Sequence, residues 1–274
     1  MKKVLTIAGS DSCGGAGIQA DLKTFSANGV YGMSVITAVT AQNTQGVFAV
    51  QDIEEKIIKA QMDAIFTDIS VDAVKIGMVS RISTIVAISE KVTQYSPKNV
   101  VLDPVMISKS GYSLLQPQSK TALIVKLIPQ ATIITPNIPE AEEMLKEINA
   151  DIIAINDIEG MENAAKIIYK LGCKNVLVKG GHLEGEAVDV LYDGNEITHF
   201  YSERIPTKNT HGTGCTLSSA IASNLALGFN IKDAVKNAKE YITIAIQHSL
   251  DIGHGVGPTN HFYSLYKRGG MLND

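Results

Sequence analysis

The sequence predicts an α/β protein with a doubly wound, mostly parallel central sheet flanked by helices, and three observations predict it. Short β-branched runs alternate with amphipathic stretches along the chain, the pattern of successive strand–helix–strand units. Several of the runs are apolar without a break, as strands covered on both faces are. Strand after strand then runs into glycine, proline or a polar side chain, and in an open α/β sheet ligands collect at the carboxyl ends of the strands.

The first strand is expected over residues 4–8. Its Met1-Lys2-Lys3 lead superficially resembles a secretion signal, but the apolar run stops at Gly9-Ser10-Asp11, too soon for an h-region. A helix follows over 18–27, closed by Gly29, and then a strand over 34–39. Residues 46–50, after a turn at Gln42, suit a small strand flap. The next helix is expected over 54–69, where Ile57, Ile58, Met62, Ile65 and Phe66 recur at helical spacing. Strands are expected over 73–76, 99–102, 132–135 and 175–178, and helices over 139–148 and 161–171. Asp193-Gly194 between runs at 188–192 and 196–200 signals a hairpin, so antiparallel strands join late in the chain. A small-residue helical run fills 216–226. No repeat, low-complexity segment or linker interrupts the pattern, so residues 1–274 read as one domain.

Composition narrows the class of function. Lys and Arg number 24 against 28 Asp and Glu, a net charge of −4, which leaves no electrostatic footprint for nucleic acid or an anionic membrane. With 45% hydrophobic and 19% charged residues the chain has the apolar content to fold. No apolar run reaches the roughly 18 residues of a spanning helix, and a cytoplasmic location is expected. Cys13, Cys173 and Cys215 are odd in number and far apart, so neither a disulfide framework nor a thiolate metal site is expected. The six histidines show no metal-ligand spacing.

Four neighbouring strand ends should surround one crevice: Gly77-Met78, Asp103-Pro104, Pro136-Asn137 and Lys179-Gly180-Gly181-His182. Taken singly, each is equally a turn or a helix cap; their coincidence marks a site. Two glycine clusters add to it. Gly14-Gly15-Ala16-Gly17 follows the first strand and opens a helix, a context for close backbone approach to a ligand. It matches neither G-x-G-x-x-G nor the Walker pattern. Gly212-Thr213-Gly214-Cys215 precedes the small-residue helix, where successive amides form an anion hole and the helix dipole is expected to depress the Cys215 thiol pKa.

Asn209-Thr210-His211-Gly212-Thr213-Gly214-Cys215 resembles the D-T-x-G-A-G-D signature of ribokinase-like sugar and vitamin kinases, with cysteine where the catalytic aspartate usually stands. Other motifs join it: Ala8-Gly9-Ser10-Asp11, residues 14–21, Ala41-Gln42-Asn43-Thr44, Lys75-Ile76-Gly77-Met78 and Asp103-Pro104-Val105-Met106. Lys109-Ser110-Gly111, Thr135-Pro136-Asn137 and residues 178–182 complete the set. In this order they resemble the hydroxymethylpyrimidine/phosphomethylpyrimidine kinases of thiamine biosynthesis, from Leu5 to about His261.

That resemblance implies a ribokinase-like fold with a small β flap or lid, and a homodimer. It implies transfer of the γ-phosphoryl of ATP, with Mg²⁺, to 4-amino-5-hydroxymethyl-2-methylpyrimidine and then to its monophosphate. Gly212, Thr213, Gly214 and Cys215 would supply the anion hole, with Cys215 the general base. Lys179, Asn137, Thr210 and Asp103 would face the nucleotide, and Glu140 with Asn137, in an N-x-x-E pattern, would help hold Mg²⁺. Gln42 would read the pyrimidine edge, with Asp21, Gly9 and Met78 lining the same pocket. His211 and His182 lie close to these motifs, and Glu140 is equally a first-turn carboxylate offsetting a helix dipole. Residues 107–112 have the make-up of a mobile cover that orders over the substrate.

Two other readings stand beside this one. A pyridoxal or pyridoxine kinase would act on a similar hydroxymethyl group, but some such kinases carry a cysteine in the lid where this chain has Ser108. A non-catalytic nucleotide-binding regulator would be expected to lack Lys179 or the glycine-rich anion hole, and the sequence has both.

Overall fold

A computed structural model describes residues 1–106, 114–151, 154–181, 183 and 187–272. The expected cover at 107–112 and His182 lie outside the described residues. β1 (Lys3–Asp11), α1 (Gly17–Ala27), β2 (Tyr31–Asn43) and β3 (Gly46–Asp52) open the chain. Then come α2 (Glu55–Phe66), β4 (Ala73–Ile76), α3 (Ile82–Tyr95), β5 (Val100–Leu102), α4 (Lys120–Lys126), β6 (Ile133–Ile134), α5 (Ile138–Glu147) and α6 (Ile158–Tyr169). The rest is β7 (Val176–Lys179), β8 (Ala187–Tyr192), β9 (Ile197–Ser202), α7 (Thr213–Leu227), α8 (Ile231–Gln247) and α9 (Tyr263–Arg268).

These nine strands form one sheet in the order β3-β2-β1-β4-β5-β6-β7-β8-β9. From β2 to β7 every neighbouring pair is parallel, while β3, β8 and β9 add antiparallel edges. The chain moves outward from β1 to β2 and then returns to its other side with β4. That reversal opens a crevice at the strands' carboxyl ends.

Side chains alternate between two cores, as the two-residue strand period requires. Leu5, Ile7, Val74, Ile76 and Val100 pack with α2 to α6 on one face. Val4, Ala73 and Val101 pack with Phe25 of α1, Leu217 of α7 and Val235 of α8 on the other. α7 is buried continuously from Thr216 to Ala226, which explains its small residues: bulky ones would hold it away from the sheet.

Several boundaries differ from expectation. β5 and β6 are shorter than 99–102 and 132–135; at the start of β5 the Val100 amide donates to the Thr132 hydroxyl at 3.0 Å. β2 is longer than 34–39 and carries Gln42 inside the strand, paired with Val47 of the flap, so Gln42 is not in a turn. α3, α4, α8 and α9 were not expected; in α3 the buried face itself includes Thr84 and Ser89, and in α8 it is carried largely by alanine, which blurs the apolar periodicity.

Candidate active site

At the carboxyl edge of the parallel strands lies a cavity of about 700 Å³, the size of a small-molecule site. Of the residues given a catalytic, nucleotide, metal or pyrimidine role from the sequence, all line it except Asp21; of the strand-end residues, Gly77, Pro104, Pro136 and Gly180 do not line it.

One wall of the cavity begins where the two glycine clusters meet. Gly212 caps α7 with φ +79°, a conformation that a Cβ penalises, and its Cα approaches the Gly15 carbonyl. The turn is tied by Thr210, whose carbonyl accepts from the Thr213 hydroxyl at 2.8 Å and amide at 3.4 Å. The Thr216 amide bonds back to Gly212 at 2.9 Å. Among the described residues, the Gly214 and Cys215 amides have no backbone acceptor, leaving two donors at the positive end of a 15-residue helix.

A Cβ built on Gly214 would lie 3.6 Å from both Asp103 Oδ2 and Lys179 Nζ, so this hole opens directly onto those charges. Cys215 is half-buried. Burial pushes the thiol up to about 11, although Lys75 beneath it pulls the other way. The expected depression by the helix dipole is therefore corrected: loss of water around the thiolate outweighs it.

Lys179 ends β7, with its amide on the Pro136 carbonyl at 2.8 Å and its backbone bridged to Asn137. Its ammonium lies 3.2 Å from Asp103 Oδ1 and 4.0 Å from Glu140 Oε2. Burial opposes that charge, but the two carboxylates more than offset it and hold the pKa above its ordinary value. Glu140 shows the reverse balance: burial, with the nearby Asp103 charge, raises it to about 7 against the pull of Lys179. Asp103 also accepts from Thr135 at 3.3 Å and from Ser218 of α7 at 3.2 Å.

Asn137 and Glu140 form a capping box at the start of α5. Asn137 Oδ1 accepts from the Glu140 amide at 2.9 Å, and Glu140 Oε2 accepts from the Asn137 amide at 2.8 Å. Helix capping and the suggested metal role thus fall on the same residues. Two buried carboxylates face one ammonium here, and an excess of anionic oxygen is the donor set that suits a hard divalent cation.

On the opposite wall, Gln42 reaches from β2 to within 3.3 Å of both Thr40 Oγ1 and His211 Nε2. Gly9 and Met78 pack together; a Cβ on Gly9 would fall 2.9 Å from the Met78 sulfur. Asp21 is the correction on this side. It has no exposure, and its carboxylate is enclosed by Lys75 at 2.9 Å, Thr6 at 2.6 Å and Ser219 at 2.7 Å. It lies beneath the cavity floor and does not face a substrate.

Asp11 organises the first glycine cluster. Its Oδ1 accepts from the Cys13 amide at 2.9 Å. Its Oδ2 accepts from the Gly15 and Ala16 amides at 3.0 and 2.8 Å and lies 2.9 Å from His211 Nε2. Burial works against this charge, yet the bonds from His211 and the amides outweigh it and keep the pKa low. One ligand atom each from Asp11, Cys13 and His211 lies within 4.8 Å of the others, but with both Asp11 oxygens engaged, hydrogen bonding accounts for the cluster. Asp11 and Lys75 enter the sequence analysis only within motifs, and Ser218 not at all. A lone lysine inside the apolar run Ala73-Val74-Lys75-Ile76 was the one available signal.

The model of the phosphomethylpyrimidine kinase family matches residues 11–260. The chain is 53% identical over 266 residues to the hydroxymethylpyrimidine/phosphomethylpyrimidine kinase of Rhizobium meliloti, covering 96% of this chain and 98% of the relative. It is 50% identical over 259 residues to the thiamine biosynthesis bifunctional protein ThiED of Geobacter sulfurreducens, covering 94% of this chain and 52% of that one. Among solved structures, an ADP complex of Bacillus subtilis pyridoxal kinase superposes with a TM-score of 0.89 at 43% identity, covering 97% of this chain and 99% of that one.

Proposed function

The chain belongs to the phosphomethylpyrimidine kinase family, and from that premise we propose how its site works. It is a phosphotransferase that uses ATP to phosphorylate 4-amino-5-hydroxymethyl-2-methylpyrimidine and then the monophosphate, in thiamine biosynthesis. The observation that carries this reading is the pair of open amides at Gly214 and Cys215, set against Lys179 and Asp103. Phosphoryl transfer depends chiefly on positioning and on neutralising charge that builds on phosphoryl oxygens, and this arrangement supplies donors and an ammonium for both.

In the proposed sequence, Cys215 first loses its proton to solvent. The thiolate then takes the substrate's hydroxyl proton as that oxygen bonds to the γ-phosphorus and the bond to ADP breaks. The amides of Gly214 and Cys215 receive the developing negative charge, with Gly212 and Thr213 fixing the turn that presents them. Lys179, Asn137, Thr210 and Asp103 bind and orient the nucleotide phosphates. Glu140 and Asn137 would hold Mg²⁺, directly or through water, and the ion would supply further neutralisation of phosphate charge. Gln42 orients the pyrimidine by its edge, while Gly9 and Met78 shape an apolar seat for the ring.

Residues 1–274 act as a single kinase domain, a reading supported by the one continuous sheet. Three unpaired cysteines suit a reducing cytoplasm. A homodimer is supported by Val39 and Phe48 on the β2–β3 flap, 48% and 68% exposed. The test of the activity is ADP release with Mg-ATP, offering the pyrimidine alcohol, its monophosphate and pyridoxal separately, with each product's mass confirmed. Turnover of the first two, with pyridoxal slow or inert, is expected. Efficient turnover of pyridoxal alone, or of none, would overturn the reading.

A further inference from the structure

Beneath the cavity lies an ion pair that no step above employs. Lys75 stands third in β4, a strand buried at all four positions. Val74 and Ile76 join the core on one face, so Lys75 projects with Ala73 toward α1 and α7 on the other. Its ammonium bonds both oxygens of Asp21 at 2.9 Å, and neither side chain has any exposure. Thr6 and Ser219 complete the carboxylate's shell. Taking two charges out of water seldom stabilises a fold better than apolar residues of the same volume. Stability alone is thus a poor account of lysine at this position.

The location gives a better one. Ser219 follows Cys215 by one turn on α7, so both lie on the same helix face, and Ser219 bonds Asp21 at 2.7 Å one helical turn below the thiol. The ammonium extends toward the strand's carboxyl end: a Cβ on Gly77 would lie 2.6 Å from Lys75 Nζ. The charged groups facing Cys215 are Lys75 from β4, which favours the thiolate, and Asp21 from α1 and Asp103 after β5, which oppose it. Full burial also removes this field from screening by salt.

We infer that the Lys75–Asp21 pair is a fixed dipole with its ammonium end toward Cys215, and that Lys75 is a positioning residue that stabilises the thiolate. This rests on Cys215 being the base. Asp21 aims the lysine, Ser219 and Thr6 aim Asp21, and Gly77 leaves room for the ammonium to approach.

The test is alkylation of Cys215 by iodoacetamide, located by mass spectrometry and followed from about pH 7 to about pH 11. It compares the full chain with Lys75→Met and with the double variant Lys75→Met/Asp21→Asn. In both variants alkylation at about pH 9 is expected to slow by about tenfold or more, with kcat at that pH falling in parallel and KM for ATP unchanged. Lys75→Met leaves a buried carboxylate unpaired and is expected to fold poorly; the double variant removes both charges and carries the test. A wild-type alkylation rate at about pH 9 in the double variant would mean that Lys75 only neutralises Asp21, and would overturn the inference. Wild-type turnover by Cys215→Ala would instead remove the base role, while the alkylation rates would still report the Lys75 field, so the two failures are distinguishable.

Discussion

Gly15 and Gly212, almost two hundred positions apart, approach so closely that a Cβ on Gly212 would lie 1.7 Å from the Gly15 carbonyl oxygen. The contact joins the loop shaped by Asp11 to the turn that presents the open amides. Gly212→Ala must therefore separate the two loops as well as strain a backbone at φ +79°. Loss of an oxyanion-type donor lowers kcat by about 100-fold to 1000-fold, and a fall of that size is expected. Gly228→Ala is the control. It has φ +99° at the other end of α7 with open space around it, and it should lower Tm while leaving kcat near wild type.

The pH dependence of turnover follows from the Cys215 thiol. With the group raised to about 11, its basic form is scarce near neutrality and grows about tenfold for each pH unit below the pKa. Saturated kcat should climb with pH through the alkaline range, and Cys215→Ala should both lower kcat and flatten that climb. A flat wild-type profile, with ATP and substrate kept saturating, would remove the thiolate from the rate-limiting step.

The sheet was legible because β-branched runs and their terminal glycines, prolines and polar residues are local signals. The anion hole was legible for the same reason: Gly212 to Cys215 are contiguous. Asp21 was misplaced because its environment is made by Lys75, 54 positions away, and by Ser219, 198 away. Nothing in its own neighbourhood distinguishes a pocket carboxylate from a buried counter-ion. The Cys215 shift was given the wrong sign for a related reason, since the dipole belongs to the local helix whereas burial comes from β1, β4 and the first glycine cluster packing around it. Glu140 shows the opposite case, with a capping box that is wholly local and a charge balance that is not.

Assembly can be separated from chemistry at the flap. Phe48 is 68% exposed on β3, outside the residues that line the cavity. Sedimentation equilibrium of the wild-type chain is expected to give twice the chain mass, and Phe48→Glu to shift it toward the single chain by placing charge in an apolar contact. A wild-type monomer would dismiss the homodimer, and an unchanged dimer in the variant would move the interface elsewhere.

Glu140 allows its cap and its charge to be tested apart. Glutamine can still accept from the Asn137 amide, so Glu140→Gln should keep the capping box, whereas Glu140→Ala should lose about 1 kcal/mol of stability with the cap. Because burial raises the folded pKa to about 7 from the ordinary 4.5, the folded protein binds more protons than the unfolded chain between those values. The Glu140 contribution to stability must then decline as pH rises through that window. Denaturant melts of the wild type against Glu140→Gln, taken from about pH 4.5 to about pH 7.5, should show this decline only in the wild type. Titration with Mg²⁺ at saturating ATP and substrate should show the glutamine variant needing more of the ion for half-maximal rate. An unchanged requirement would leave Glu140 as a helix cap alone.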